Sequence, residues 1–213
     1  MHDYQREFLH FAIKIGALRF GDFTLKSGRQ SPYFFNAGLF NTGVRLAQLA
    51  RAYAHCIIAS GVEYDVLYGP AYKGIPLAAA TSVTLATEHG QDAPYAFNRK
   101  EVKDHGEGGL IVGSPLAGRI LIIDDVITAG TSVRESVDII RASGAVPAGV
   151  VIALDRQERG LGASSSVDEV RAIFDIPVYC ILTLTDLIAY LEEQPNETGF
   201  LTSMRDYRSR YGA

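Results

Sequence analysis

Apolar residues recur along this chain in two rhythms, and their alternation outlines the fold. Between Thr42 and Ser60, Leu46, Leu49, Ala50, Tyr53 and Ile57 fall at helical spacing, with Thr42 placed as the N-cap and Gly61 as the stop. Asp65–Tyr68 reads as a short strand halted by Gly69 and Pro70. A second helix is expected from about Ile75 to Glu88, with Pro76 in its first turn and Gly90 beyond its end. It carries no charge before Glu88, which predicts burial on most sides. Ile120–Ile123 is an unbroken apolar run, as in parallel strands covered on both faces. A helix with Val133, Val137 and Ile140 on one face follows and ends near Gly144. Gly149–Leu154 and Val178–Leu182 are further buried strands.

Strand and helix in alternation imply an α/β fold, a central mostly parallel sheet flanked by helices. The first forty residues differ, with a short helix near Tyr4–Ile15 and extended pieces at Phe20–Leu25 and Tyr33–Asn36. They are expected to form a small cap, or hood, over the main sheet. The chain then reads as one domain, 1–213, with about 1–40 as cap and 41–213 as core.

Composition narrows the function. With 213 residues, 47% of them hydrophobic and 21% charged, the chain can bury a core and is not disordered, collagenous or coiled-coil. The net charge of −4 argues against a broad nucleic-acid-binding face, though not against a local anion site. The uncharged stretch Gly74–Thr87 falls short of the about 20 apolar residues a membrane span needs. The start, MHDYQREF, has no apolar signal core, so neither membrane nor secretion is expected and a cytoplasmic location is. Cys56 and Cys180 sit among apolar residues and read as buried free thiols. His2, His10, His55 and His89 show no metal spacing.

The chemistry concentrates in RILIIDDVITAGTS, Arg119–Ser132. The apolar strand stops at Asp124 and Asp125, at the carboxyl edge where parallel sheets bind ligands. Small and hydroxyl-bearing residues follow, Thr128, Ala129, Gly130, Thr131 and Ser132, letting backbone N–H groups approach a phosphate. Ser132 and Glu135 match a capping box, so a helix start is expected there, adding partial positive charge. Neither a Walker A loop nor a G-x-G-x-x-G fingerprint occurs. Two carboxylates above a phosphate cradle suit a phosphorylated sugar.

This segment resembles the phosphoribosyl-pyrophosphate motif of the type I phosphoribosyltransferases. The resemblance implies that Asp124 and Asp125 hold the ribose 2′- and 3′-hydroxyls and that Val126, Ile127, Thr128, Ala129, Gly130, Thr131 and Ser132 bind the 5′-phosphate. Other stretches resemble the orotate-using branch of that family. In FTLKSGRQSPYFFN, a turn at Ser27-Gly28 with a cation before it, Lys26 corresponds to a donor-binding lysine, and Phe34 and Phe35 to the pair that holds the flat base. In YGPAYKGIPLAAA, Tyr72 and Lys73 correspond to donor-binding residues, in a loop whose glycines allow unusual backbone geometry. In FNRKEVKDHGEGG, read as a polar loop from Arg99 to Gly109, Arg99, Lys100, Lys103 and His105 match a catalytic loop that closes over the site and reaches a neighbouring subunit. Arg156, after the next buried strand, matches the residue that binds the orotate carboxylate, for which a guanidinium offers two parallel hydrogen bonds. Thr128 is expected at the base as well.

The resemblance thus implies transfer of ribose 5-phosphate from phosphoribosyl pyrophosphate to orotate, with Lys103, Lys100, His105 and Asp125 as catalytic residues. Mg²⁺ would be held mainly by substrate and water, with no direct protein ligand expected, and the protein would be a homodimer. Two other readings stay open: a transferase for uracil or a purine, and a non-catalytic regulator that senses the donor. The first leaves Arg156 and the Phe34-Phe35 pair without a task. The second would want a DNA-binding domain for which the chain has no room. Beyond Arg156 the sequence adds little, and Arg205–Arg210 reads as a solvated helix end.

Overall fold

The computed structural model describes residues 1–25, 27–103, 109–128, 130–160, 162–194 and 198–213, with the backbone alone at 102 and 103. Helix α1 (Asp3–Lys14) leads into a two-stranded antiparallel hairpin, β1 (Leu18–Thr24) and β2 (Gln30–Phe35). Its turn closes with the Gly28 N–H donating to the Leu25 carbonyl at 2.8 Å. Helix α2 (Gly43–Ser60) begins where the Thr42 hydroxyl accepts the Arg45 N–H and ends at Gly61 in the left-handed region, φ +65°. The remainder alternates: β3 (Val66–Gly69), α3 (Gly74–His89), β4 (Tyr95–Lys103), β5 (Gly109–Gly113), β6 (Arg119–Ile123), α4 (Thr131–Ala142), β7 (Val146–Asp155), α5 (Ser166–Phe174), β8 (Val178–Thr183), α6 (Leu184–Glu192) and α7 (Thr198–Tyr211).

The main sheet runs β5-β4-β3-β6-β7-β8, parallel throughout except for the antiparallel edge pair β4–β5. Its order reverses between β3 and β6: after β3 the chain goes outward to β4 and β5, then returns to β3's other side. Such a switch point leaves a crevice at the carboxyl edge, because the two following loops diverge. Strand β6 lies at the centre, and Ile120–Ile123 are all 0% exposed. Alternate residues pack oppositely, Leu121 and Ile123 toward α1, α2 and α3, and Ile120 and Ile122 toward α4 and α5. Burial on both faces accounts for the unbroken apolar run.

Several expectations need correction. Helix α3 is not buried on most sides: Leu77, Ala78, Thr81 and Leu85 face the core while Val83 is 61% exposed. Its lack of charge marks an apolar outer face rather than full burial. The segment Arg99–Lys103 is strand rather than loop, paired with β5 at the sheet edge, where charged side chains find water. Cys56 is buried as expected, but Cys180 only half-buried. The C-terminal region is no mere solvated end, because Met204 and Tyr207 of α7 are buried, with Tyr207 packed edge-on to Tyr33 of β2. Among the described residues no helix is long and apolar enough to cross a membrane.

Candidate active site

The β6 backbone delivers Asp124 and Asp125 to the switch point, 6% and 7% exposed. The Asp124 carboxylate is held on both oxygens: Oδ1 accepts the Asp125 N–H at 2.9 Å and Oδ2 accepts the Ser132 hydroxyl at 2.8 Å. Behind it, the buried Tyr53 hydroxyl donates to the Asp124 carbonyl at 2.7 Å. Burial pushes the Asp124 carboxyl up to about 6, partly offset by its bonds from Ser132 and the Asp125 amide. Asp125 accepts the Val126 N–H on Oδ1 at 2.9 Å and the Lys73 ammonium on Oδ2 at 2.6 Å.

The capping box is not formed as the sequence suggested. Gly130, at φ +70°, occupies the N-cap position of α4, and Ser132 bonds Asp124 instead of capping. A buried carboxylate without a partner is the more costly orphan, so it claims the hydroxyl. The first N–H groups of α4 are thereby left without a side-chain cap, beside a cavity of about 380 Å³. Val126, Ile127, Thr128, Gly130, Thr131 and Ser132 line one wall of it, and Pro70–Lys73 the other. Exposed amides, hydroxyls and a helix N-terminus together form a receptor for a phosphate.

The second wall follows β3. Asn98 of β4 accepts the Ala71 N–H on Oδ1 at 2.9 Å and pins the loop, in which the Ala71–Tyr72 peptide is cis. Gly69 and Gly74 have ordinary backbone angles. They are glycines because a Cβ on Gly69 would overlap the Gly74 carbonyl and one on Gly74 would overlap Pro70 and Gly69. Close approach is what requires glycine at these two positions, while the unusual backbone geometry of the loop lies at the Ala71–Tyr72 peptide. Tyr72 is 71% exposed at the mouth, and Lys73 reaches across to Asp125.

The edge hairpin brings Lys100 to 3.9 Å from Glu135 of α4, while Arg99 donates to the Gly109 carbonyl at 3.1 Å. Lys26, His105, Ala129 and the Lys103 side chain lie outside the described residues.

At the cap, strand alternation separates Phe34 from Phe35. The Phe35 ring packs on Phe40 against the core, and the Phe34 ring meets Phe23 and the Arg19 guanidinium. The two rings thus have separate surroundings, and a flat ligand could stack on only one of them. Arg156 lies over the Tyr33 ring, 4.2 Å from its centre. Its Nε donates to Glu158 Oε1 at 2.7 Å, Nη2 forms an ion pair with the same oxygen at 2.7 Å, and Nη2 donates to the hydroxyls of Ser31 at 3.0 Å and Tyr207 at 3.3 Å. The Nε–Nη2 edge is therefore turned to Glu158, and among the described residues Nη1 has no hydrogen-bond partner.

Asn98, Tyr53, Ser31, Glu158 and Tyr207 escaped the sequence reading. Only Asn98 left a signal, an asparagine inside a strand that disfavours it.

The geometry agrees with what the chain resembles. Residues 40–181 match the phosphoribosyl transferase domain family. Orotate phosphoribosyltransferase of Marinobacter nauticus is 61% identical over 212 residues, covering 100% of both chains. The Yersinia enterocolitica protein of the same name is 59% identical with the same coverage. The crystal structure of orotate phosphoribosyltransferase from Francisella tularensis superposes with a TM-score of 0.90 at 47% identity, over 97% of this chain and 100% of that one.

Proposed function

The chain belongs to the phosphoribosyltransferase family, and we infer that it works as an orotate phosphoribosyltransferase in de novo pyrimidine biosynthesis. It transfers ribose 5-phosphate from phosphoribosyl pyrophosphate to orotate, giving orotidine 5′-monophosphate and pyrophosphate. The observation that carries this reading is the buried Asp124-Asp125 pair, facing Lys73 across a cavity floored by the uncapped start of α4.

In this mechanism the 5′-phosphate settles on the amides and hydroxyls of 126–132, and the ribose diol donates to Asp124 and Asp125. Lys73 then exchanges Asp125 for the pyrophosphate. Phe34 stacks on the orotate ring, with Phe35 backbone groups and Thr128 at its edge, and Arg156 meets its carboxylate through Nη1. The ring nitrogen of orotate bonds to the anomeric carbon as the bond to pyrophosphate breaks, through a transition state with oxocarbenium character, and the proton this nitrogen carried passes to the departing pyrophosphate. Lys26, Tyr72, Arg99, Lys100, Lys103 and His105 surround the departing pyrophosphate with donors that stabilise its growing charge. Lys103, at the end of β4, leads among them, and closure of the β4–β5 hairpin over the site would exclude water.

Among the described residues the cavity lining offers oxygen ligands, two carboxylates and the hydroxyls of Tyr72, Thr128, Thr131 and Ser132, a donor set that fits Mg²⁺ held largely by substrate and water. When bound, Mg²⁺ would neutralise charge on the pyrophosphate.

The protein is further proposed to be cytoplasmic, a single catalytic domain over 1–213 with 1–40 as base-binding cap, and a homodimer sharing the Lys103 loop between subunits. The uncharged outer face of α3 around Val83 offers apolar surface for a second copy. Phosphorus NMR tests the chemistry: protein with both substrates should convert the donor resonances into those of pyrophosphate and a nucleoside monophosphate. Conversion at the same rate without orotate would reduce the activity to donor hydrolysis.

A further inference from the structure

Arg156 is a single residue on the β7–α5 connection, yet its guanidinium is fixed by groups from distant parts of the chain. The Tyr33 ring forms its floor at 4.2 Å, and Glu158 holds Nε and Nη2 at 2.7 Å. Ser31 Oγ accepts from Nη2 at 3.0 Å while donating its own proton to the Tyr33 carbonyl at 2.7 Å, which sets the direction of its lone pairs. The fourth contact comes from the C-terminal helix: the Tyr207 hydroxyl accepts from Nη2 at 3.3 Å. Tyr207 is 4% exposed, locked edge-on to Tyr33 and packed on Tyr211 at 5.0 Å. Burial raises its phenol above the usual range, so it stays a neutral acceptor.

Without these contacts an arginine has several rotatable bonds and an ion pair that leaves it free to pivot about the Glu158 carboxylate. The hydroxyls of Ser31 and Tyr207 restrict that pivot, because they hold Nη2 through two contacts additional to the Glu158 ion pair. What remains is Nη1, which has no hydrogen-bond partner among the described residues. Positioning a donor in advance lowers the entropy lost on binding.

We propose that Tyr207 and Ser31 are positioning residues for base recognition, and that α7 thereby sets the affinity for the carboxylate of the acceptor base through Arg156. This rests on the reading that Arg156 meets that carboxylate.

Steady-state kinetics on the full-length protein test it. Tyr207→Phe keeps the ring packing and removes only the acceptor, and Ser31→Ala removes the other. Loss of one bond to a charged group should raise the KM for orotate on the order of 3- to 10-fold. The KM for phosphoribosyl pyrophosphate, kcat and the thermal midpoint should hardly move. The double variant should lose less than the product of the two single effects, since both act on one nitrogen. Uracil, which lacks the carboxylate, should show no change in any slow turnover it supports. A Tyr207→Phe protein with unchanged orotate KM, or with both KM values raised alike, overturns the proposal. Arg156→Ala separates the two levels. If it weakens orotate strongly while Tyr207→Phe and Ser31→Ala do not, the positioning role alone fails. If Arg156→Ala leaves the orotate KM unchanged, the reading beneath it fails as well.

Discussion

Lys73 Nζ stands 2.6 Å from Asp125 Oδ2, bridging the two walls of the switch-point crevice. The pair is asymmetric: the lysine side chain is 68% exposed and the aspartate 9%. An ion pair with one partner so wet is worth about 1 kcal/mol or less. It satisfies Asp125 in the free protein and yields readily to a ligand that offers hydroxyls to the acid and phosphate oxygens to the lysine.

Replacing Lys73 by alanine should therefore barely affect folding while weakening the donor. The KM for phosphoribosyl pyrophosphate is expected to rise roughly tenfold, with a change in unfolding free energy below about 1 kcal/mol. Kinetics beside a denaturant titration read both quantities. An unchanged donor KM would contradict the exchange of Lys73 from Asp125 to pyrophosphate.

Asp124 sets a pH dependence of definite sign. Its folded carboxyl titrates near 6, above its unfolded value, so its contribution to stability is fully present below about pH 4 and is lost as pH rises through about 6. Ionised at neutral pH, it costs the free protein on the order of 3 kcal/mol. An asparagine can keep both contacts, its oxygen accepting from the Asp125 amide and its nitrogen donating to Ser132. Asp124→Asn should thus melt higher than the parent at pH 7.5, with the gain vanishing near pH 4, yet bind donor poorly. In the parent, donor affinity should fall below pH 6. A variant that melts lower at both pH values would refute the assignment.

Asn98 acts on the donor loop through the Ala71 amide alone. Removing its side chain leaves that N–H unpartnered and costs about 1–2 kcal/mol of loop order. Asn98→Ala should raise the donor KM several-fold and leave the orotate KM unchanged, as measured by varying each substrate in turn.

Lys103→Ala should lower kcat on the order of 10²- to 10³-fold, as for loss of one charge-stabilising donor. Shared sites give the same residue a second test. Heterodimers of Lys103→Ala and Asp125→Ala chains should regain activity, because one of their two sites would be intact. Verified heterodimers that stay inactive would show that each site draws on one chain only.

The sequence announced the sheet because central strands such as Ile120–Ile123 are buried on both faces, and it announced the acid pair because such charges are costly at a strand end. It concealed whatever depends on partners far along the chain. Ser132 looked like a cap because its nearest backbone partners are local, yet folding offers it Asp124. The charged stretch after Arg99 looked like a loop because an edge strand needs little apolar alternation. Arg156 read as a free fork because its partners Ser31 and Tyr207 lie 125 and 51 residues away. Helix α7 carried no visible motif, only a tyrosine whose importance appears once Tyr33 is packed against it.

The central claim is the identity of the acceptor base, and orotate consumption followed by ultraviolet absorbance tests it most directly. Purified protein would be mixed with phosphoribosyl pyrophosphate, Mg²⁺ and orotate, with uracil, adenine, guanine and hypoxanthine in parallel and a chelator as control. The account predicts loss of orotate absorbance only when donor and metal are both present, and little turnover of the other bases. Turnover of another base in preference to orotate would contradict it and overturn the roles given to Phe34 and Arg156.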